Sequence, residues 1–157
     1  MKKDAVLSED RVYRYMLSRV WDETKATVLF IGLNPSTADE VQDDPTVKRC
    51  INFAKSWGYG GVVMANLFAY RTSRPIELKS AKDPIGKDND KWLKKLAKES
   101  DIVICAWGNH GHFQNRGNTV KAMLDKLYYL SLNQSGEPAH PLYLKSTLYP
   151  KKFEISL

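Results

Sequence analysis

Ala26-Thr27-Val28-Leu29-Phe30-Ile31-Gly32-Leu33 reads as a continuous apolar run, and Asn34-Pro35 closes it. A half-exposed strand alternates polar with apolar residues. A strand that is apolar throughout is covered on both faces, which is the habit of a parallel sheet. Proline has no amide hydrogen to continue a ladder, so the strand stops at Asn34. Three more runs have the same character: Val62 to Ala65 ending at Asn66, Ile102 to Ala106 ending at Trp107-Gly108-Asn109-His110-Gly111-His112, and Tyr128 to Leu132. Residues 27–33, 62–65, 102–106 and 128–132 are therefore expected as neighbouring strands of one mostly parallel sheet.

Helices are expected between these strands. Asp44 is a capping residue, Pro45 suits a first helical position, and Val47, Cys50, Ile51, Ala54 and Trp57 form one stripe that Gly58 ends. Asp88 or Asn89 caps a second helix with Trp92, Leu93, Leu96 and Ala97 inward. Residues 118–127 predict a third, and 76–81 a short turn of helix. Residues 11–20 carry Val12, Tyr13 and Tyr15 and favour β structure, as an antiparallel edge strand or hairpin with Arg14 and Ser18 facing solvent. Alternating strands and helices imply a three-layer α/β/α sandwich, short and mostly parallel in its sheet, with an extra N-terminal β element.

The chain has 157 residues, 43% hydrophobic and 27% charged, which predicts one ordinary domain over 1–157. No apolar run reaches the ~20 residues a membrane span needs. No apolar segment follows Met1-Lys2-Lys3-Asp4, so a secretory signal is not expected. Cys50 and Cys105 lie in apolar periodic segments, which predicts reduced buried thiols and a cytoplasmic protein. The net charge is +6, and residues 51–100 carry 10 basic against 5 acidic groups. A basic middle suits nucleic acid or a nucleotide, although Lys91, Lys94, Lys95 and Lys98 read first as the solvated face of a helix.

In a parallel sheet, ligands bind beyond the carboxyl ends of the strands. The residues delivered there are Asn34, Asn66, Trp107 to His110 and, past the last strand, His140. A fixed amide matches the edge of a nucleobase or can position a water. An imidazole before proline can protonate or hydrogen-bond a leaving group. Phe68, Tyr70 and Trp107 are candidates to stack on a base. Arg71 is expected at the mouth, against a phosphate. His110 and His112 form an HxH pair, but no spacing supplies further ligands, so no metal site is expected and no cofactor is implied.

Several motifs together carry a resemblance. They are Gly32-Leu33-Asn34-Pro35-Ser36-Thr37-Ala38-Asp39, Asp43-Asp44-Pro45-Thr46, Asn66-Leu67-Phe68-Ala69-Tyr70-Arg71, Asp83-Pro84-Ile85-Gly86, Ala106-Trp107-Gly108 and His140-Pro141-Leu142-Tyr143-Leu144. This string resembles an uncharacterised domain-of-unknown-function family of bacteria, archaea and phages, over roughly residues 11 to 150. More distantly, Gly32-Leu33-Asn34-Pro35, Asn66 with Arg71 and Arg74-Pro75, and His140-Pro141 look like the motifs of the uracil-DNA glycosylase superfamily. Ser36 stands where that superfamily has glycine, Leu142 where it has serine, and its cluster-binding cysteines are missing.

That second resemblance implies a sheet order of 2-1-3-4. It also implies roles: Asn34 positions water, Asn66 reads the base edge, His140 stabilises the departing base, and Asp39, Asp43 or Asp44 supplies negative charge. Ser36 joins the ligand-binding set with Asn66, Phe68, Arg71 and Trp107. The leading expectation is binding of a nucleobase-containing ligand, with or without hydrolysis of an N-glycosidic bond. The alternatives are a non-catalytic nucleic-acid or protein-binding module, and a metal-dependent hydrolase using the HxH pair.

Overall fold

The computed structural model describes residues 1–154. Seven strands form one sheet: β1 (Lys2–Leu7), β2 (Arg14–Val20), β3 (Thr27–Gly32), β4 (Gly61–Asn66), β5 (Ile102–Cys105), β6 (Leu127–Tyr129) and β7 (Lys151–Lys152). Their order across the sheet is β1-β2-β4-β3-β5-β6-β7. The four inner strands β4, β3, β5 and β6 are parallel, while β1, β2 and β7 run antiparallel to their neighbours. The apolar run at 27–33 is the centre of this sheet, hydrogen-bonded to β4 on one side and β5 on the other.

Side chains alternate across a strand, and β3 fills both cores. Leu29 and Ile31 pack on one face with α2 (Asn89–Glu99) and α3 (Arg116–Met123). Val28 and Phe30 pack on the other with α1 (Pro45–Ser56). Helices thus cover both faces. The α1 helix starts where its capping signal lies: Asp44 Oδ1 accepts the Val47 N–H at 2.9 Å, and Pro45 is its first residue. On α2, Leu93 and Leu96 are buried while Lys91, Lys94, Lys95 and Lys98 face solvent, as their spacing predicts.

Several expectations need correction. The sheet is a seven-stranded mixed sheet rather than a short one, because the N-terminal segment contributes a full hairpin, β1–β2, and Lys151–Lys152 adds a further edge. The last parallel strand ends at Tyr129, not Leu132, since Leu132 bridges to Pro138 across the turn that follows. The third helix spans Arg116–Met123 rather than 118–127. Arg14 does not face solvent: it is buried beneath the ends of the parallel strands. No helix among the described residues is long and apolar enough to cross a membrane.

The connections create the site. From β3 the chain passes through α1 to β4 on one side, then through α2 to β5 on the other side of β3. The loops leaving β3 and β5 therefore diverge to opposite faces and leave a crevice between them.

Candidate functional site

A cavity of about 500 Å³ opens at that crevice. Asn34, Ser36, Asn66, Trp107 and His140 all line it, joined by Arg14, Asp44, Asn109, His110 and Asn133. Residues far apart in sequence meet because every parallel strand points its carboxyl end at the same rim.

Asn34, Asn66 and His140 each have their orientation set by a protein partner. Both amide protons of Asn34 are engaged, donated to Thr72 O at 2.7 Å and Pro35 O at 3.0 Å, which leaves Oδ1 as an acceptor for the cavity. Asn66 is the reverse case. Arg14 Nη2 donates to its Oδ1 at 3.4 Å. Arginine has no acceptor, so the oxygen must face the guanidinium and the Nδ2 donors face away. Among the described residues nothing accepts those Nδ2 protons. His140 Nδ1 accepts the Leu142 N–H at 3.2 Å, so in the neutral ring the proton sits on Nε2. Burial lowers the His140 pKa, with the Asp44 carboxylate opposing the shift.

This sets a pH dependence. Neutral His140 is favoured in the folded protein, so its contribution to stability is present above the ordinary imidazole value. It is lost as pH falls through the lower folded value. An NMR titration of the ring is expected to report a pKa below the usual 6.5. A value above it would mean that Asp44 dominates.

Arg14 was missing from the sequence-derived set. An arginine in a strand that also carries Ser18 and Arg19 is the only signal it leaves, and that pattern equally suits a solvent-facing edge. It is 3% exposed, donates to Ala38 O at 3.0 Å, and its buried Nε has no partner among the described residues. Burial draws its pKa down to about 10, partly offset by Asp44, so it remains a cation at neutral pH. Two further buried polar residues hold the chain just past β4. Asn89 donates to Asn66 O and Leu67 O at 2.9 and 3.0 Å, and Arg116 Nε donates to Leu67 O at 2.9 Å while its other end pairs with Asp90.

Gly32 matters for the same amide. A Cβ there would lie 3.0 Å from Asn66 Nδ2. Gly32→Ala is expected to push the Asn66 side chain aside and weaken ligand binding severalfold while changing stability by under ~1 kcal/mol. Calorimetric titration and urea unfolding of the variant test this; unchanged affinity would show that Asn66 does not read the ligand.

Other expected site residues lie elsewhere. Phe68 is fully buried in the core and packs on Phe113 with ring centres 5.6 Å apart, so it has no face to stack on a base. Trp107 contributes an edge to the cavity wall, but it is 1% exposed and donates Nε1–H to Glu137 Oε2 at 2.6 Å. Gly111 lies so close that a Cβ would sit 2.1 Å from the indole Cδ1. Trp107 is therefore wall, not stacking platform. Tyr70 is half-buried and meets Tyr13 edge-on, away from the cavity.

Arg71 is not among the cavity-lining residues. It turns to the β1–β2 hairpin and donates to Arg11 O at 3.2 Å. Asp39 is not there either: its Oδ1 accepts the N–H groups of Val41 and Gln42, both at 2.8 Å, which hold its pKa below the usual carboxylate value. The carboxylate that does line the cavity is Asp44. Of the HxH pair, His110 lines the cavity, but His112 is exposed, with Nδ1 2.5 Å from the Asn109 carbonyl. Among the described residues no group of three or more His, Cys, Asp or Glu side chains comes close enough to hold a metal ion.

No curated protein and no solved structure matches the chain. One family does, described as a protein of unknown function, over residues 14–142. That stretch begins at the buried Arg14 and reaches past His140, so it takes in the whole cavity lining. The chain belongs to this family of unknown function, DUF1643.

Proposed function

We propose that the cavity binds a nucleobase-containing ligand, in nucleic acid or as a nucleotide, and that the residues around it support hydrolysis of its N-glycosidic bond. The observation that carries this reading is the convergence of Asn34, Asn66 and His140 on one cavity, each held in a defined polarity. The order β4-β3-β5-β6 of the parallel strands, which is 2-1-3-4 counted among themselves, supports the likeness to the glycosylase superfamily.

The chemistry follows from the free groups. Asn34 Oδ1 accepts from a water and aims its oxygen. Asn66 Nδ2 donates to an acceptor on the base edge. As water adds at the anomeric carbon, the C–N bond breaks and its electron pair leaves with the base, where His140 Nε2–H stabilises the charge. Asp44 supplies the negative charge an oxocarbenium-like centre needs and accepts the water's proton. Of the three carboxylates that could take this part, Asp44 is the one that lines the cavity, whereas Asp39 Oδ1 closes its own loop and Asp43 pairs with Arg19.

A panel of damaged single- and double-stranded DNA and RNA together with ribonucleosides, assayed for abasic sites or released base, tests the catalytic part. Cleavage by the wild type that is lost in Asn34→Ala supports it. Saturable base binding without abasic-site formation supports the non-catalytic module instead. In either case Asn66→Ala is expected to cost about 1–3 kcal/mol of affinity, because base-edge groups lose their partner on entering the cavity. An Asn66→Ala variant that binds as tightly as the wild type would remove the base-reading role.

A further inference from the structure

In the lining of the same cavity, two amides meet. Asn133 Nδ2 donates to Asn109 Oδ1 at 3.0 Å, and Ser135 Oγ donates to the same oxygen at 2.6 Å. The carbonyl oxygen of Asn109 is thereby filled. Asn109 Nδ2 and Asn133 Oδ1 are left, and among the described residues neither has a partner. A single hydrogen bond between two carboxamides always leaves a donor on one and an acceptor on the other, whichever way round the pair is set.

The backbone fixes this pair. Asn133 N–H donates to Glu137 O at 2.9 Å, Glu137 N–H to Ser135 Oγ at 3.2 Å, and Gly108 N–H to Pro138 O at 2.8 Å. Gly108, at φ 76° and ψ −173°, takes a conformation that L side chains rarely adopt, and so carries Asn109 over the rim. Asn109 is exposed and Asn133 half-buried, whereas Asn66 is 5% exposed. The pair lies at the mouth, above the level at which Asn66 meets a base.

We infer that Asn109 and Asn133 form a hydroxyl-recognition subsite for the sugar of a ribonucleoside or ribonucleotide, whose base lies against Asn66. This rests on the nucleobase reading above. A hydroxyl group both donates and accepts, so the two hydroxyls of a ribose satisfy an acceptor and a donor side by side. A phosphate only accepts and would set its oxygens against Asn133 Oδ1. Among the described residues Arg14 is the only arginine or lysine lining the cavity, and it is committed beneath Asn66. A 2′-deoxy sugar lacks one of the two hydroxyls and leaves one amide group unpaired, which is the basis on which a protein tells ribose from deoxyribose.

The experiment is isothermal titration of the intact chain with the four common ribonucleoside monophosphates, their 2′-deoxy counterparts and the free bases. It is repeated for Asn109→Ala and Asn133→Ala. The wild type is expected to prefer at least one ribonucleotide over its deoxy form by about tenfold. Both variants should lose that ratio while keeping their affinity for the free base. The ratio is read from folded protein, so a variant that is partly unfolded still reports it, and the second variant stands in for one that does not fold. Free-base binding with equal affinity for ribo and deoxy forms would overturn the sugar subsite and leave the base reading intact. A preference unchanged in both variants would overturn it too. Failure of every base, nucleoside and nucleotide to bind would overturn both.

Discussion

Replacing Arg19 with methionine is expected to cost about 3–5 kcal/mol of stability, the scale for removing one partner of a buried ion pair. Arg19 is fully buried, and its Nε donates to Asp43 Oδ1 at 2.6 Å. The rest of the guanidinium donates to backbone oxygens of Ser18 at 2.9 Å and Gln42 at 3.0 Å, and to that of Asp39. Without it, Asp43 keeps only Lys3, at 3.8 Å, and the carbonyls of the 39–43 loop lose a charged donor. That loop runs into Asp44, which caps α1 and lines the cavity, so ligand affinity should fall together with stability. Urea unfolding measures the first effect. A loss below about 1 kcal/mol would mean that methionine packing recovers most of what the pair supplies.

The second large effect is kinetic. On the proposed mechanism, His140→Ala is expected to lower abasic-site formation by about 10²–10⁴-fold, the usual contribution of a positioned proton donor. Stability should change little, because the ring's one protein hydrogen bond among the described residues is local, from Leu142 N–H. The pH profile gives an independent reading. Protonation at Nδ1 removes the acceptor of the Leu142 N–H that orients the ring, so the rate is expected to hold above the lowered imidazole pKa and to fall as pH drops through it. A His140→Ala enzyme with wild-type turnover, or one whose acid limb is unmoved, would assign the leaving-group role to another residue. Asn34→Ala should reduce turnover as well, but through the water, and without shifting the acid limb.

Much of the site was legible before any coordinates. Asn34, Asn66, Trp107 to His110 and His140 were expected at one rim, and all of them line the cavity, as does Ser36. The inference needed only that parallel strands share a direction, so a polar residue closing each apolar run arrives at the same edge. Position, however, is weaker than availability. Phe68 and Trp107 follow strand ends in sequence, yet both are consumed by packing, since an aromatic ring next to a core is more cheaply buried than left at a mouth. Asp39 and Arg71 were lost for another reason: Asp39 Oδ1 is committed to its own loop, and Arg71 Nη1 reaches the Arg11 carbonyl of the N-terminal hairpin. Nothing in residue type distinguishes a carboxylate free for chemistry from one that closes its own loop.

The α/β class, the parallel centre built on residues 27–32, the capped start of α1 and the strand ends that carry the asparagines could all be read from residue order. These are properties of local pattern: apolar runs buried on two faces, a helical stripe, a proline after a capping aspartate. The edges that the sheet gains, the burial of Arg14 and Arg19 beneath the loops, and the turning of Asp44 rather than Asp39 to the cavity depend on long-range contacts. An arginine in a strand can turn to water or be drawn inward by carbonyls and a carboxylate supplied from a distant loop. That choice depends on partners 20 or more residues away, such as Ala38 for Arg14 and Asp43 for Arg19, which no local pattern encodes.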